Sequence, residues 1–133
     1  MKELAVRLKK GDDLKESIES LCVSNGVDTA AVVSGVGCLF KARIRLAGAK
    51  DFYEKEADFE IVSLSGTVSK GRAHIHISLS DDRGNVIGGH LSKGCLVNTT
   101  CELILAVLEE YQSVRQYDEA TGYDEIVFEK RGR

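Results

Sequence analysis

The chain begins with an alternation: in KELAVRLKKGDD, Leu4, Val6 and Leu8 are separated by Ala5, Arg7 and Lys9, the period of two that marks a strand with one face buried. The period then changes. In GDDLKESIESLCVSNG the apolar positions Leu14, Ile18, Leu21 and Cys22 recur three and four residues apart, which predicts an amphipathic helix. Asp12 or Asp13 supplies its N-cap, Glu16 complements the positive end of the helix dipole, and Gly26 provides the stop.

Beyond the helix the pattern is that of strands. TAAVVSGVGCLFKARIRLAG reads as two extended segments separated by the small stretch Ser34–Gly37, a bend, bulge or close backbone approach. A phosphate-cradling loop there would need G-x-x-x-x-G-K-[ST] and a helical stripe after it, and neither is present. AKDFYEKEAD is charged enough to be a surface loop, with Tyr53 covering an apolar edge. FEIVSLSGTVS, HIHISLS, NVIGGHL and YDEIVFEK read as short strands with turn residues between them. ELILAVLEEY is rich in helix formers, but the preceding TTC and the unbroken apolar run favour a buried strand. The expected fold is therefore α/β in the α+β sense: a single domain over residues 1–133, largely antiparallel sheet with one main N-terminal helix.

Composition narrows this. A chain of 133 residues is long enough to bury a core without disulfides or a structural metal. A net charge of −3 gives no general attraction to a polyanion, so nucleic-acid binding would need locally clustered bases. No run of eighteen apolar residues and no signal-peptide pattern is present, and the expectation is a cytoplasmic protein without a membrane partner. Cys22, Cys38, Cys95 and Cys101 form no C-x-x-C pair and read as buried reduced thiols.

All three histidines fall in HIHISLSDDRGNVIGGH, residues 74–90. DDRG fits a three-residue hairpin loop, a type I turn followed by Gly84 in the left-handed conformation. With Asp82, Arg83 and Gly84 as the loop, Asp81 faces Asn85, Ser78 faces Gly88 and His76 faces His90. Strand alternation adds His74 to the face of His76 and His90, together with Ser78, Ser80, Gly88 and Ser92. Ile75, Ile77, Leu79, Ile87 and Leu91 take the other face, toward the core.

Opposed cross-strand residues have Cβ atoms about 4.5–5.5 Å apart, close enough for two imidazoles to share a zinc ion at bonds of about 2.0–2.1 Å. His74, His76 and His90 are thus candidate zinc ligands, and three protein ligands leave a fourth position for water or a small-molecule ligand. Glu60 and Glu102 are the candidate carboxylates to orient a ligating histidine or carry a proton. The bland alternative is a polar sheet face whose histidines bond to serine hydroxyls or line a subunit contact. HIS at 76–78 and HLS at 90–92 also echo the paired H-x-S tripeptides of two-histidine phosphoesterases, but over six residues only and within one hairpin.

FEIVSLSGTVS, then HIHISLSDDRGNVIGGHLSKGCLVNTTCELIL, together with the earlier VVSGVGCLFKARIRLA, resemble the "plants and prokaryotes conserved" domain from about Leu4 to Phe128. The resemblance implies a compact α/β domain that assembles as a homotrimer. In plants such domains follow AT-hook segments that enter the DNA minor groove, and Arg131, Gly132 and Arg133 echo the core of an AT-hook, although a solvated basic tail over 130–133 is the simpler reading. The prokaryotic members carry the histidines found here as His74, His76 and His90. The fold also resembles acetolactate decarboxylase, a zinc enzyme with a three-histidine site that includes an H-x-H strand. Three functions follow as expectations: a trimeric divalent-metal-binding protein, a zinc-dependent lyase or hydrolase using the same site, or a DNA-associated regulator.

Overall fold

The computed structural model describes residues 2–132. Nine elements follow in order: β1 (Lys2–Lys9), α1 (Leu14–Ser24), β2 (Thr29–Arg45), β3 (Phe52–Ser69), β4 (Arg72–Ser80), β5 (Val86–Leu91), β6 (Leu96–Val107), β7 (Tyr111–Asp118) and β8 (Tyr123–Lys130). Every strand pairing is antiparallel. The main sheet runs β1-β6-β2-β3-β4-β5, and β5 also meets β2 through Ile44↔Leu91 and Arg45↔His90. Strands β2 to β5 therefore close into a ring, which leaves the apolar side chains of each strand facing a shared interior. β7 and β8 form a separate two-stranded ribbon.

The helix begins as its caps dictate. Asp13 accepts a hydrogen bond from Glu16 N at 3.0 Å with one carboxylate oxygen and from Gly94 N at 2.7 Å with the other, so one residue caps α1 and ties it to the loop after β5. Asn25 is the C-cap, and Gly26 follows with φ +65. Leu14, Ile18 and Cys22 are fully buried and join Leu39, Ile44, Ile75, Leu79, Leu91 and Leu105 in one core. All four cysteines are free thiols; burial pushes the Cys101 thiol up to about 11, which keeps it protonated.

Two segments differ from the sequence reading. β2 is one continuous strand of 17 residues rather than two, and its bend is taken up by register shifts at Val32/Ser34, Gly37/Cys38 and Leu39/Lys41. The small residues there serve a close approach: a Cβ on Gly37 would lie 2.2 Å from the Thr100 carbonyl oxygen. The polar stretch expected as a surface loop is strand from Phe52 onward. Its charges find opposite partners across the ladder: Glu56 faces Lys41, and Glu54 faces Arg43 with an ion pair at 3.0 Å. The Arg43 guanidinium also lies 3.9 Å from the Phe52 ring centroid. Tyr53 packs edge-on against Phe59 at the rim of the core. Of the four residues read as a basic tail, Lys130 closes β8, Arg131 donates from N to Glu110 O at 2.8 Å and from Nε to Tyr111 O at 3.1 Å, and Arg133 lies outside the described residues.

Candidate metal centre

The hairpin of β4 and β5 is set by its loop. Asp81 N donates to Asn85 O at 2.9 Å and Gly84 N to Asp81 O at 3.1 Å, with Gly84 at φ +81, a conformation that costs other residues a Cβ clash. One Asp81 carboxylate oxygen accepts from both Arg83 N and Asn85 N at 2.9 Å, and these bonds hold its carboxyl below the usual carboxylate range. From this loop the ladder places Ser78 opposite Gly88 and His76 opposite His90, as the sequence predicts. Ile75, Ile77, Leu79 and Leu91 are buried below, and Ile87 is half-buried against them.

Above the sheet stand the histidines. His74, His76 and His90 each offer a ring nitrogen, and these three atoms all lie within 4.8 Å of one another. The ring centroids are 5.4–5.8 Å apart, with His76 steeply inclined to both other rings and His74 and His90 tilted by 38°. A tetrahedral zinc with bonds of about 2.0–2.1 Å holds its nitrogen ligands roughly 3.4 Å apart, so side-chain rotations that contract the cluster by at most about 1.4 Å would bring it to bonding geometry. His90 Nδ1 is buried and has no hydrogen-bond partner. A buried ring nitrogen left this way costs stability, and bonding of that ring to an ion or a bridging water relieves it. Burial first, then Arg45, then His74 and His76, lower the His90 pKa to about 4, so the ring is neutral at neutral pH, the form that ligates metal. The donor set thus fits a divalent ion that favours imidazole.

The model of the Plants and Prokaryotes Conserved (PCC) domain matches residues 1–109. The chain belongs to this family. Its PCC segment contains all three histidines, whereas β7 and β8 lie beyond the matched residues. Among curated proteins, the chain is 40% identical over 125 residues to the bifunctional protein GlmU of a Synechococcus strain, matching 94% of this chain but spanning only 20% of that protein. Among solved structures, a hypothetical protein from Salmonella enterica superposes with a TM-score of 0.94 at 31% identity, covering 98% of this chain and 94% of that one. A metal-containing protein from Archaeoglobus fulgidus superposes with a TM-score of 0.77 at 32% identity, covering 96% and 94%.

Neither candidate carboxylate joins the PCC domain's histidine cluster. Glu60 stands opposite Ser80, four residues along β4 from His76, or about 13 Å of strand. It lines a different hollow with Cys38, Asp58, Asp81 and Asn98. Glu102 faces Arg7 and Val36 on β6, three strands from β4 in the sheet order. The neighbours that the sequence reading missed are cationic and aromatic. Arg45 sits directly beside His90 in the two-residue pairing of β2 with β5, and Tyr123 of β8 lines the same cleft. Arg72 and Arg115 line the continuation of the same cleft. No local pattern announces them, because they come together only once the ring closes and the ribbon folds back.

Proposed function

We propose that this PCC-domain protein binds a divalent metal ion, zinc first among candidates, through His74, His76 and His90. The observation that carries the reading is the convergence of three ring nitrogens within 4.8 Å on a face that includes a buried, partnerless His90 nitrogen. The metal-containing relative from Archaeoglobus fulgidus, 32% identical over nearly the whole chain, supports it. Elemental analysis of protein purified without a histidine tag should find a divalent metal, or metal-free protein should take up Zn²⁺. His76→Ala should weaken zinc binding by more than about 100-fold, the upper end of what loss of a mere outer-shell partner costs. Metal-free protein that takes up no zinc, or unchanged affinity in the variant, would reject the proposal.

A catalytic use of the same site is the second reading, favoured by the open cleft beside the histidines. When bound, an ion with three protein ligands keeps a position at which water is acidified or a carbonyl polarised. In that reading the chain's own residues orient the reactant: Arg45, next to His90 in the sheet, binds it, and Tyr123 lines the same cleft. Turnover of acetolactate-like or ester substrates that survives both chelation and His90→Ala would exclude it. A DNA-associated role receives no help from a net charge of −3 and is not adopted.

We further propose assembly into a homotrimer in the cytoplasm. Val33, Val36, Val62 and Ile104 expose 60%, 53%, 57% and 39% of their surface on neighbouring strands β2, β3 and β6, an apolar area that another protomer would cover. Four free cysteines suit a reducing compartment.

A further inference from the structure

The cleft beside the histidines has two connected parts, of about 570 and 750 Å³, which share Arg45, Ala49, His74, His90 and Tyr123. Each part has the size of a small-molecule site. Its charge distribution is unusual for one that holds a dication. The register sets Arg45, His90 and His76 in one row across β2, β5 and β4, and alternation puts Arg72 on the same face as His74, two residues along β4. Arg115 reaches the cleft from β7, close enough to Arg72 and to Asp124 for both charges to act on it in opposite senses.

Among the described residues the ion pairs are Lys15–Glu19, Arg43–Glu54, Lys70–Asp28 and Lys93–Glu16, so none of these three arginines has a carboxylate within pairing distance. The contrast with Arg43, two positions back on β2, is direct: it takes Glu54 and lies over Phe52, whereas Arg45 is turned to the histidines with no such partner. Asp118, Asp124 and Glu125 line the outer part of the cleft beside Arg72 and Arg115, whereas the inner part, next to the histidines, holds Arg45 and no carboxylate. A cation without a partner in a partly desolvated hollow favours an anion beside it. Guanidinium forks match the paired oxygens of carboxylates and phosphates.

We propose that this cleft binds a small organic anion, its carboxylate or phosphate group held by Arg45, with Arg72 and Arg115 as the second anchor. The inference rests on the metal reading only for the ligand's orientation, with its inner end toward the histidines; the arginine cradle belongs to the chain itself.

Titration calorimetry on the full chain tests it, using malonate and inorganic phosphate separately, on metal-free and zinc-loaded protein. At least one anion should bind the wild type, and Arg45→Gln should weaken it by at least about tenfold, the effect of one lost charge-assisted hydrogen bond, while the variant still takes up zinc. Arg115→Gln, further from the histidine row, provides a second variant should Arg45→Gln melt abnormally by circular dichroism. Malonate alone binding assigns the natural ligand to carboxylic acids, phosphate alone to phosphate esters. Normal zinc uptake with no anion bound, or anion affinity unmoved by either substitution, overturns the subsite and leaves the metal reading standing. If the wild type takes up no zinc, the metal reading fails. The metal-free titration then decides the subsite by the same arginine dependence: supported if present, overturned if absent.

Discussion

His90 occupies a position that makes protonation and folding compete. Its ring is held neutral down to about pH 4 by burial and by Arg45, whereas in the unfolded chain it takes a proton near 6.5. Between those values the unfolded state binds more protons, so this group's contribution to stability is present above about pH 6.5 and is lost as pH falls toward about 4. Urea denaturation of metal-free protein should show a midpoint that declines over this window, and His90→Gln should flatten the decline; an unchanged slope in the variant would contradict the assignment. The three histidines of the cluster could be named from sequence because they share one hairpin, whose alternation and turn are local. Arg45 could not, since 44 residues of chain lie between it and His90, and only the closure of β5 on β2 brings them side by side.

Among the elements, β4 and β5 were the most legible and the first half of β3 the least. The β4–β5 register follows from Asp81, Gly84 and a loop of three residues, interactions within five positions of one another. Residues 52–58 form a strand because Glu54 and Glu56 meet Arg43 and Lys41 across the ladder, a partnership that a polar run does not disclose. The seam between β5 and β2 depends on a missing side chain. A Cβ on Gly89 would lie 2.6 Å from the Arg45 carbonyl oxygen, a backbone atom that can move only by parting the strands. Gly89→Ala should therefore destabilise the protein by about 1–3 kcal/mol, the usual penalty of forced packing, with a parallel loss of zinc affinity. A thermal melt and a zinc titration check both; full affinity in a destabilised variant would separate the seam from the metal centre.

On the scale of the whole molecule, two of the exposed valines arise from the way β2 and β3 bend. Val33 and Val62 are the residues skipped at the register shifts Val32/Ser34 and Ile61/Ser63, so each irregularity turns an apolar side chain outward. Val36 and Ile104 extend the same surface. An apolar surface of this kind predicts association. Val36→Glu should dissociate the assembly, read as a fall in mass by light scattering after gel filtration, while the circular dichroism spectrum stays that of the folded chain; a wild type that is already monomeric would refute the trimer. One antiparallel domain with a single helix was readable from periodicity alone. The ring closure and the position of the β7–β8 ribbon over the cleft were not, because both rest on pairings between residues distant in sequence.

The ring of strands is held at its last junction by two residue pairs, Ile44↔Leu91 and Arg45↔His90, against nine between β3 and β4. Thermal breathing should start at this latch, and when it lifts, Arg45 departs from the three histidines, which stay together on the β4–β5 hairpin. Loss of the anion and local opening then become a single event, and an anion held between Arg45 and the hairpin acts as a clasp on the barrel. Deuterium uptake at the Leu91 and His90 amides should slow on addition of the anion that binds far more than uptake at β8. Equal slowing at both places, or none, would show that the ring stays shut without it.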